Sequence, residues 1–523
     1  MNALREKMIT QFGQVACPGA GLFPALFPMY CVPRDQFNEA ARSMRYVEAR
    51  LLAEWASDET PMGRGYGIYA CYNLGSDYLI VKSEVPADDP TFPSIKRKFV
   101  PAWRFERQMQ SLMGVVPKGH PDPRPWIKHE DWPEDAWPLR KGFNPSTRMT
   151  RVEGSYRWIR AEGEGVYEIP VGPVHAGIIE PGHFRFQAVG ETIINLEERL
   201  GYVHKGIEKR FEALSWEDGA RLAGRISGDT TVAHAMAYCR AVEAAAGCLV
   251  PSRGAWLRAV MLERERIANH LGDIGAICND VAFAFLLYQF HTLKEFFVRT
   301  SHRLFGHRFM MDRVAPGGVT VNLDDAGISD LLREMETFSG EFERLVTIYD
   351  DNPSLEDRVK DTGRLSIEQA KDLGVVGIVA RASGLAMDSR VQAPFPPYDR
   401  VVPQVPVFEA GDVNARVWVR IEEIRESIVL IRRMLEDLPP GAVRAPLAPP
   451  EPDRCGFSLV EGWRGEIACW VQSGPRGEIN RCMVRDPSSV NWLALEQAVH
   501  GNIVPDFPVC NKSFNQSYSG HDL

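Results

Sequence analysis

GPVHAGIIEPGHFRF, residues 172–186, places two histidines around a glycine- and proline-containing loop that leads into an alternating segment. That segment, HFRFQAV (183–189), turns at a glycine and returns as TIINLEER (192–199), so the pattern predicts a β-hairpin. Loops on a rigid scaffold often present reactive side chains. His175 and His183 could therefore bind a metal or give a proton to a carbonyl group. The alternative is that both are surface or strand-end histidines.

The sequence after the hairpin predicts helices. GIEKRFEAL (206–214) reads as a short helix with Glu208 in its first turn, where the helix dipole stabilises a carboxylate. Glu208 is therefore either a helix-stabilising side chain or a carboxylate that relays protons. Ser215 begins a capping box, which predicts a long helix that runs to about Ala246.

RISGDTTVAH (225–234) lies inside this long helix or at an interruption of it. Asp229 is four residues from Arg225 and Tyr238 is four residues from His234, so each pair shares a helix face. Ionisable groups on a largely apolar helix are costly to bury unless they are paired or functional. These residues therefore form either a hydrogen-bond network between helices or part of a functional site.

Composition restricts the class of protein. The chain has 523 residues, a net charge of -9 and a pI of about 5.8, which argues against a general nucleic-acid binder. No apolar run approaches the roughly 20 residues of a spanning helix, and the N-terminus has no signal-peptide core. We therefore expect membrane association only through partners. The ten cysteines contain no C-x-x-C pair, which indicates reduced thiols without an iron–sulfur cluster.

Residues 1–143 predict an N-terminal α/β domain. Helical periodicity covers 47–56, and two strands cover 65–74 and 77–85. A second helix is predicted over 93–115.

Residues 144–166 predict a linker, and 167–523 predict a second, mainly α-helical domain with a small β-hairpin region. The fold class is therefore α+β. The second domain contains long helical patterns over 255–300, 328–350 and 414–438, a proline-rich connection over 438–456 and a final hairpin over 466–484.

Several long motifs in the same order resemble one family. The loop 172–186 and the following GETIINLEERLGYVHKGIEK (190–209) resemble the large subunit of group 4 membrane-bound [NiFe] hydrogenases, of the hydrogenase-4 and formate hydrogenlyase type. They equally resemble the homologous quinone-site subunit of complex I. The N-terminal domain resembles the small hydrophilic subunit of complex I. Further matching segments lie at 92–95, 119–124, 138–143, 262–277, 377–390 and 411–428, so the resemblance covers nearly the whole chain.

The resemblance implies four metal ligands that this sequence replaces. The hydrogenase pattern R-x-C-G-x-C-x-x-x-H matches 225–234, with its cysteines at Ser227 and Thr230. The pattern D-P-C-x-x-C places its cysteines at Ser488 and Asn491. Hydroxyl and amide groups are poor substitutes for thiolates, so we expect no nickel–iron centre. A working hydrogenase would need other ligands, and no remaining cysteine pair has a suitable spacing.

The resemblance also implies roles for the remaining polar residues. In the complex I relative, a histidine of the hairpin loop and a tyrosine of the following helix hold a quinone headgroup. These roles fall on Tyr238 and on His175 or His183, because a longer loop leaves the histidine undecided. Glu208 matches the proton-transfer glutamate of the hydrogenases. Protons would be relayed by His234, Asp229 and Glu208.

By this resemblance the chain looks like a redox subunit of an energy-converting hydrogenase-related complex, held peripherally on the cytoplasmic face of the cell membrane. Electrons would arrive from an iron–sulfur small subunit with a [4Fe–4S] cluster and reduce a quinone or similar acceptor. No firmly bound cofactor is expected in this chain. The implied membrane partners are antiporter-like and quinone-channel-like subunits. The alternative is a non-catalytic coupling subunit with a vestigial site, and bulky side chains filling the space beside Tyr238 would favour it.

Overall fold

The computed structural model describes residues 3–12, 27–129, 132–150, 152, 156–175 and 179–523. Helices dominate, and the strands form several small sheets, so the α+β class is confirmed. Within the described ranges, no helix is long and apolar enough to cross a membrane.

The N-terminal part is a four-stranded sheet with helices packed against it. Its strand order is β1-β4-β3-β2, with β1 parallel to β4 and the other pairs antiparallel. The elements are α1 (Ala3–Phe12), β1 (Met29–Cys31), α2 (Phe37–Tyr46), β2 (Arg50–Asp58), β3 (Tyr66–Leu74), β4 (Asp77–Val85), β5 (Thr91–Pro93), α3 (Ala102–Met113) and β6 (Val116–Lys118).

Two predictions for this part need correction. The predicted helix over 47–56 is wrong, because strand β2 occupies most of it. All of β2 after its first residue is buried, and a strand covered on both faces has a continuous apolar run that periodicity does not separate from a helix. The second predicted helix is shorter than 93–115, since α3 begins only after Pro101. The predicted strands β3 and β4 are confirmed.

The second part begins with a three-stranded sheet and continues as a helical body. Its elements are β7 (Val166–Val171), β8 (His183–Val189), β9 (Thr192–Arg199), α4 (Ile207–Phe211), α5 (Trp216–Ala223), α6 (Thr231–Ala246), α7 (Ser252–Asp280), α8 (Ala284–Phe305), β10 (Val314–Ala315), β11 (Gly318–Val319), α9 (Asp325–Asp350), α10 (Pro353–Val359), α11 (Ile367–Leu373), α12 (Gly377–Ala382), α13 (Ser389–Gln392), α14 (Val413–Glu436), β12 (Cys455–Gly462), β13 (Gly465–Ser473), β14 (Ile479–Arg485), α15 (Ser488–Ala498), α16 (Phe507–Phe514) and α17 (Tyr518–Asp522).

The predicted long helix from Trp216 is two helices. Ser215 caps α5 as predicted, with its hydroxyl accepting from the backbone N–H of Asp218. Helix α5 ends at Ala223, and a short 3₁₀ turn at Gly228–Thr230 precedes α6. The interruption within 225–234 is therefore real, and it gives these residues a non-helical backbone next to the start of α6.

The two parts share buried surfaces rather than meeting at a loose contact. The antiparallel sheet β12-β13-β14 packs on α6 and also contacts β2. Trp55 of β2 stacks on Tyr69 and lies 5.6 Å, between ring centroids, from Trp470 of β13. Aromatic packing of this kind contributes about 0.5–1.5 kcal/mol per pair beyond the area it buries. Residues of both parts therefore line the same interior.

Among the cysteines that the structure describes, one departs from the prediction. Eight of them are free thiols, and all of these except Cys248 are buried. Cys31, in β1, is disulfide-bonded, which corrects the expectation that all ten are reduced. Spacing along the chain does not reveal which cysteines approach closely in space.

Candidate functional site

The four ligand positions, Ser227, Thr230, Ser488 and Asn491, come from two places in the chain. The first two lie in the interruption between α5 and α6, and the other two lie in the first turn of α15, directly after β14. All four are buried. The fold therefore brings the two motifs to neighbouring elements in the interior.

Ser517 connects the two motifs. Its hydroxyl lies 2.9 Å from the hydroxyl of Ser227, and its backbone N–H donates to the hydroxyl of Ser488 at 2.9 Å. The Ser517 hydroxyl also caps α17 by accepting from the backbone N–H of Gly520. Residues 517–523, the C-terminal segment, are buried and lie between the ligand positions.

Asp229 is the charged centre of the first motif. It accepts from the hydroxyls of Ser227 and Thr230 at 2.7 and 2.9 Å. Arg464 donates to both of its oxygens at 2.8 and 2.7 Å. Partial burial alone would raise the pKa of the half-exposed Asp229, but Arg464 and the two hydroxyl donors hold this pKa well below its usual range. Asp229 is therefore an ionised carboxylate.

The Asn491 side chain binds Val376 instead of the other three ligand positions. Its Nδ2 donates to the carbonyl of Val376 at 3.1 Å, and its Oδ1 accepts from the backbone N–H of the same residue at 3.0 Å. This pair of hydrogen bonds fixes the chain just before α12. Asn491 thus has a structural role at the edge of the site.

His234 and Asp486 form a buried pair beside the ligand positions. Nε2 of His234 lies 2.9 Å from Oδ2 of Asp486, and Oδ1 of Asp486 accepts from the backbone N–H of Ser488. Burial opposes ionisation of Asp486, but the hydrogen bonds from His234 and Ser488 lower its pKa. Nδ1 of His234 has no hydrogen-bond partner among the described residues. The pair can hold a proton close to the second motif.

Glu208 lies at a separate position, under β14. Its Oε2 is 3.0 Å from a guanidinium nitrogen of Arg481, and its Oε1 accepts from the backbone N–H of Val484 at 3.3 Å. The carboxylate is buried and does not share a hydrogen bond with the ligand positions. Arg481 therefore compensates its charge in the interior.

Tyr238 is also separate from the ligand positions. Its hydroxyl donates to the carbonyl of Trp216 at 3.1 Å, and its ring stacks on Phe211 at 5.2 Å. Gly219 passes so close that a Cβ there would lie 2.1 Å from the Tyr238 hydroxyl oxygen. Tyr238 is fully buried, and its surroundings are bulky side chains and backbone.

The two loop histidines fasten the ends of the hairpin loop. Nε2 of His175 lies 2.7 Å from the carbonyl of Gly182, and Nδ1 of His183 lies 3.3 Å from the carbonyl of Gly172. The His183 ring packs against Trp158 and is 8% exposed, and its buried Nε2 has no partner among the described residues. Burial, reinforced by nearby arginines, lowers the pKa of His183. Residues 176–178 of this loop lie outside the described residues.

The loop meets the C-terminal segment. A Cβ at Gly182 would lie 2.5 Å from the ring of Tyr518, so the loop backbone rests directly on this ring. The Glu180 carboxylate accepts from the backbone N–H of Ser519 at 3.1 Å. The hairpin loop, the C-terminal segment and the ligand positions at 227 and 488 are therefore in continuous contact. Asp229 binds Ser227, and His234 is linked to Ser488 through Asp486. Tyr238 and Glu208 have no hydrogen bond to this set among the described residues.

Sequence analysis missed the residues that organise this site. Arg464 lies in the tight turn between β12 and β13, and its neighbour Trp463 donates its indole N–H to the hydroxyl of Thr230. Neither residue belongs to a motif, and both reach the site only through the fold. Asp486 had a signal, since it stands in the D-P-C-x-x-C pattern beside Ser488.

Two protein-family models match the chain. The model described as "Respiratory-chain NADH dehydrogenase, 30 Kd subunit" matches residues 30–149. The model described as "Respiratory-chain NADH dehydrogenase, 49 Kd subunit" matches residues 280–454.

Curated relatives extend the match over most of the chain. Formate hydrogenlyase subunit 5 of Escherichia coli is 31% identical over 90% of this chain and 84% of its own length. Hydrogenase-4 component G of Escherichia coli is 30% identical over 90% of this chain and 83% of its own length. The fused C/D polypeptide of the NADH-quinone oxidoreductase of Bacteroides fragilis is 28% identical over 83% of this chain and 86% of its own length. The chain belongs to the family of formate hydrogenlyase subunit 5 and hydrogenase-4 component G.

A solved structure agrees with the family fold. A chain of the membrane-bound sulfane sulfur reductase, described as an archaeal respiratory membrane complex, superposes with a TM-score of 0.65 at 24% identity. It covers 70% of this chain and is itself covered in full. This match shows the fold, while the family models and curated relatives confirm the family resemblance seen in the sequence motifs.

Proposed function

We propose that the chain is the peripheral redox subunit of a membrane-bound, complex I-like and hydrogenase-4-like ion-translocating oxidoreductase. In this role it holds no [NiFe] centre. It passes electrons from an adjacent [4Fe–4S] subunit to a quinone or similar acceptor. Its partners are the iron–sulfur small subunit and integral membrane subunits of the antiporter-like and quinone-channel-like kinds.

The contacts of Ser517 with Ser227 and Ser488 support the part of this proposal that concerns the [NiFe] centre. A [NiFe] centre needs four thiolates, whereas these positions hold three neutral hydroxyls and one amide. Ser227 and Ser488 both use their hydroxyls to bind Ser517, and Asn491 is fully occupied by Val376. The residues present therefore do not fit the metal centre of the hydrogenase relatives.

Proton-holding groups around these contacts of Ser517 support acceptor reduction. Reduction of a quinone takes up two protons, and general acid groups must lie near the accepting oxygens. The His234–Asp486 pair lies beside Ser488. Nε2 of His183, at the end of the loop that rests on the C-terminal segment, has no hydrogen-bond partner in the described part of the chain. We therefore propose that His183 rather than His175 contacts the acceptor, because Nε2 of His175 is already bound to the carbonyl of Gly182.

For Tyr238 to bind the acceptor, its side chain must first leave its present position. Its hydroxyl is bound to the Trp216 carbonyl and its ring is enclosed by Phe211 and Gly219. The same packing favours a second candidate function, a non-catalytic coupling subunit. In that role the filled site would transmit a conformational change instead of binding an acceptor.

Cluster reoxidation separates the two candidates. The iron–sulfur partner in the purified complex is reduced chemically, a short-chain quinone is added, and reoxidation is followed by EPR. The redox proposal expects rapid reoxidation that His183→Gln slows, while His500→Gln, an exposed histidine of the same chain, leaves it unchanged. Tyr238→Phe tests the tyrosine in the same way. Failure of several quinones to reoxidise the cluster would favour the coupling role.

A further inference from the structure

A small cavity with both apolar and polar walls lies between the N-terminal part and the helical body, apart from the ligand positions. Its volume is about 40 Å³, and a water molecule requires roughly 10–15 Å³ on this measure, so it has room for a short water chain. Its walls come from β2, α3, α4, β14 and the start of α15. The polar side chains that line it are Glu54, Gln108, Glu208, Arg481, Arg485 and Ser489.

Glu54 is the unexplained group in this cavity. It lies on β2, is 4% exposed, and neither of its carboxylate oxygens has a hydrogen-bond partner within the part of the chain that the structure describes. An ionised carboxylate without partners is very costly in the interior, so the neutral acid is the stable form. Burial and, second, the nearby carboxylate of Glu106 both raise the pKa of Glu54.

Glu106 is the neighbour that makes this a pair. It lies on α3, is fully buried, and accepts from the hydroxyl of Ser94 and the backbone N–H of Ile95, each at 2.6 Å. Burial raises its pKa to about 7 despite these donors. Its outer neighbour is His120, whose Nε2 lies 3.8 Å from the Glu106 carboxylate. The negative charge of an ionised Glu106 therefore adds to burial in disfavouring ionisation of Glu54.

The other charged groups around Glu54 are already compensated. Arg481 is paired with Glu208, and Arg485 is paired with Glu466. Tyr72, on β3, also faces the two carboxyl groups, and burial raises its pKa further from neutrality. No cation in the described surroundings is therefore free to ionise Glu54.

We propose that Glu54 and Glu106 form a proton-holding pair that supplies Glu208 through water in the cavity. Glu54 gives its proton to a water molecule in the cavity, that water gives one of its protons to Glu208, and Glu54 then takes up a proton from solvent through the same water. No electron moves in these steps, and the final source of the proton is solvent. The role of this supply rests on the proposed function, because acceptor reduction consumes protons.

The cavity points toward the proposed redox site. Ser489, one of its wall residues, follows Ser488, which binds the C-terminal segment. Glu208 also lines the cavity and accepts from the backbone N–H of Val484 in β14. A proton that reaches Glu208 is therefore held against the end of β14, which leads directly into the motif that contains Asp486.

Infrared spectroscopy of the purified complex tests the pair without any acceptor. The wild type is expected to show the carbonyl stretch of a protonated, buried carboxylic acid at neutral pH. Buried Glu106 and Glu265 also hold protons near neutral pH, so Glu54→Gln should remove only the Glu54 component of this band, which a wild-type-minus-variant difference spectrum isolates. Glu48→Gln, at an exposed carboxylate of the same domain, should leave the band unchanged. Glu106→Gln removes the neighbouring negative charge, so the remaining Glu54 band should titrate at lower pH. A wild type without the band, or a band that Glu54→Gln leaves unchanged, overturns the inference.

Turnover tests the supply to Glu208. Acceptor reduction should fall roughly 100-fold in Glu54→Gln, the usual order for a lost proton-transfer group, with a larger solvent deuterium isotope effect. Glu48→Gln should match the wild type in both. Unchanged turnover and isotope effect in Glu54→Gln overturn the supply role. A wild type that reduces no acceptor defeats the proposed function instead, and the infrared result still decides whether Glu54 holds a proton.

Discussion

The hydroxyl of Ser227 lies 2.9 Å from the hydroxyl of Ser517. The resemblance to hydrogenases implies a cysteine ligand at position 227. Here Ser227 occupies that position and binds Ser517 of the C-terminal segment. The same serine hydroxyl donates to Asp229, so the contact joins the C-terminal segment to the Asp229–Arg464 ion pair. A former metal-ligand position therefore serves as an anchor for the C-terminal segment.

Ser517→Ala should destabilise the protein. The substitution removes the hydroxyl contact with Ser227 and the cap of α17 together, which predicts a loss of about 1–3 kcal/mol in the free energy of unfolding. Chemical denaturation measures it. Ser329→Ala, which removes an exposed serine hydroxyl bond on α9, is the control and should change stability by less than about 0.5 kcal/mol. Equal losses in the two variants would contradict the anchoring role.

Arg464→Met should destabilise the protein in a pH-dependent way. Asp229 is half-exposed, so the loss at neutral pH should be about 1–3 kcal/mol, below the 3–5 kcal/mol typical of a fully buried pair. The folded-state pKa of Asp229 is depressed in the wild type, so its stabilisation is present above the unfolded pKa, near 4, and is lost as pH falls through the folded value.

In Arg464→Met this depression disappears, and Asp229 protonates at a higher pH. The difference in the free energy of unfolding between wild type and variant should therefore shrink as pH falls below about 4. Denaturation curves at neutral and acidic pH measure this difference. Arg476→Met, at an exposed ion pair, is the matched control and should show little effect at either pH. A difference that stays constant with pH would show that Arg464 acts by packing alone.

The sequence predicted the parts of this protein that local patterns encode. Strands β3 and β4 are rich in aromatic and β-branched residues and flank a glycine turn, and Ser215 caps a helix, so both are local features. Strand β2 was mistaken for a helix because both of its faces are buried, which only the packing of the sheets decides. Arg464 and Ser517 reach Asp229 and Ser227 from 235 and 290 residues away, so no local signal could reveal the site they form.

Gly219→Ala and Gly340→Ala should change stability in opposite directions. Both glycines lie inside helices, where alanine is favoured by about 1 kcal/mol. A Cβ at Gly340 meets no neighbouring atom, so that variant should be more stable. A Cβ at Gly219 would lie 2.1 Å from the hydroxyl of Tyr238, whose stacked ring cannot retreat, so overpacking should cost about 1–3 kcal/mol.

Thermal unfolding measures this pair of variants directly. A stabilised Gly219→Ala protein would show that Tyr238 moves easily, which is the freedom an acceptor ligand needs. A destabilised one would show that Tyr238 is a rigid part of the core. The result therefore also bears on whether the tyrosine can take part in acceptor binding.

Metal content tests the replaced ligands. The purified complex, made in cells supplied with nickel, should contain far less than one nickel per chain by mass spectrometry, because hydroxyl and amide groups bind the ion weakly. Cysteines introduced together at Ser227, Thr230, Ser488 and Asn491 should not restore binding. The C-terminal segment lies between the two motifs, and the side chain of Asn491 is directed to Val376. Stoichiometric nickel in the wild type would contradict the proposal, whereas nickel in the cysteine variant alone would show that the segment can be displaced.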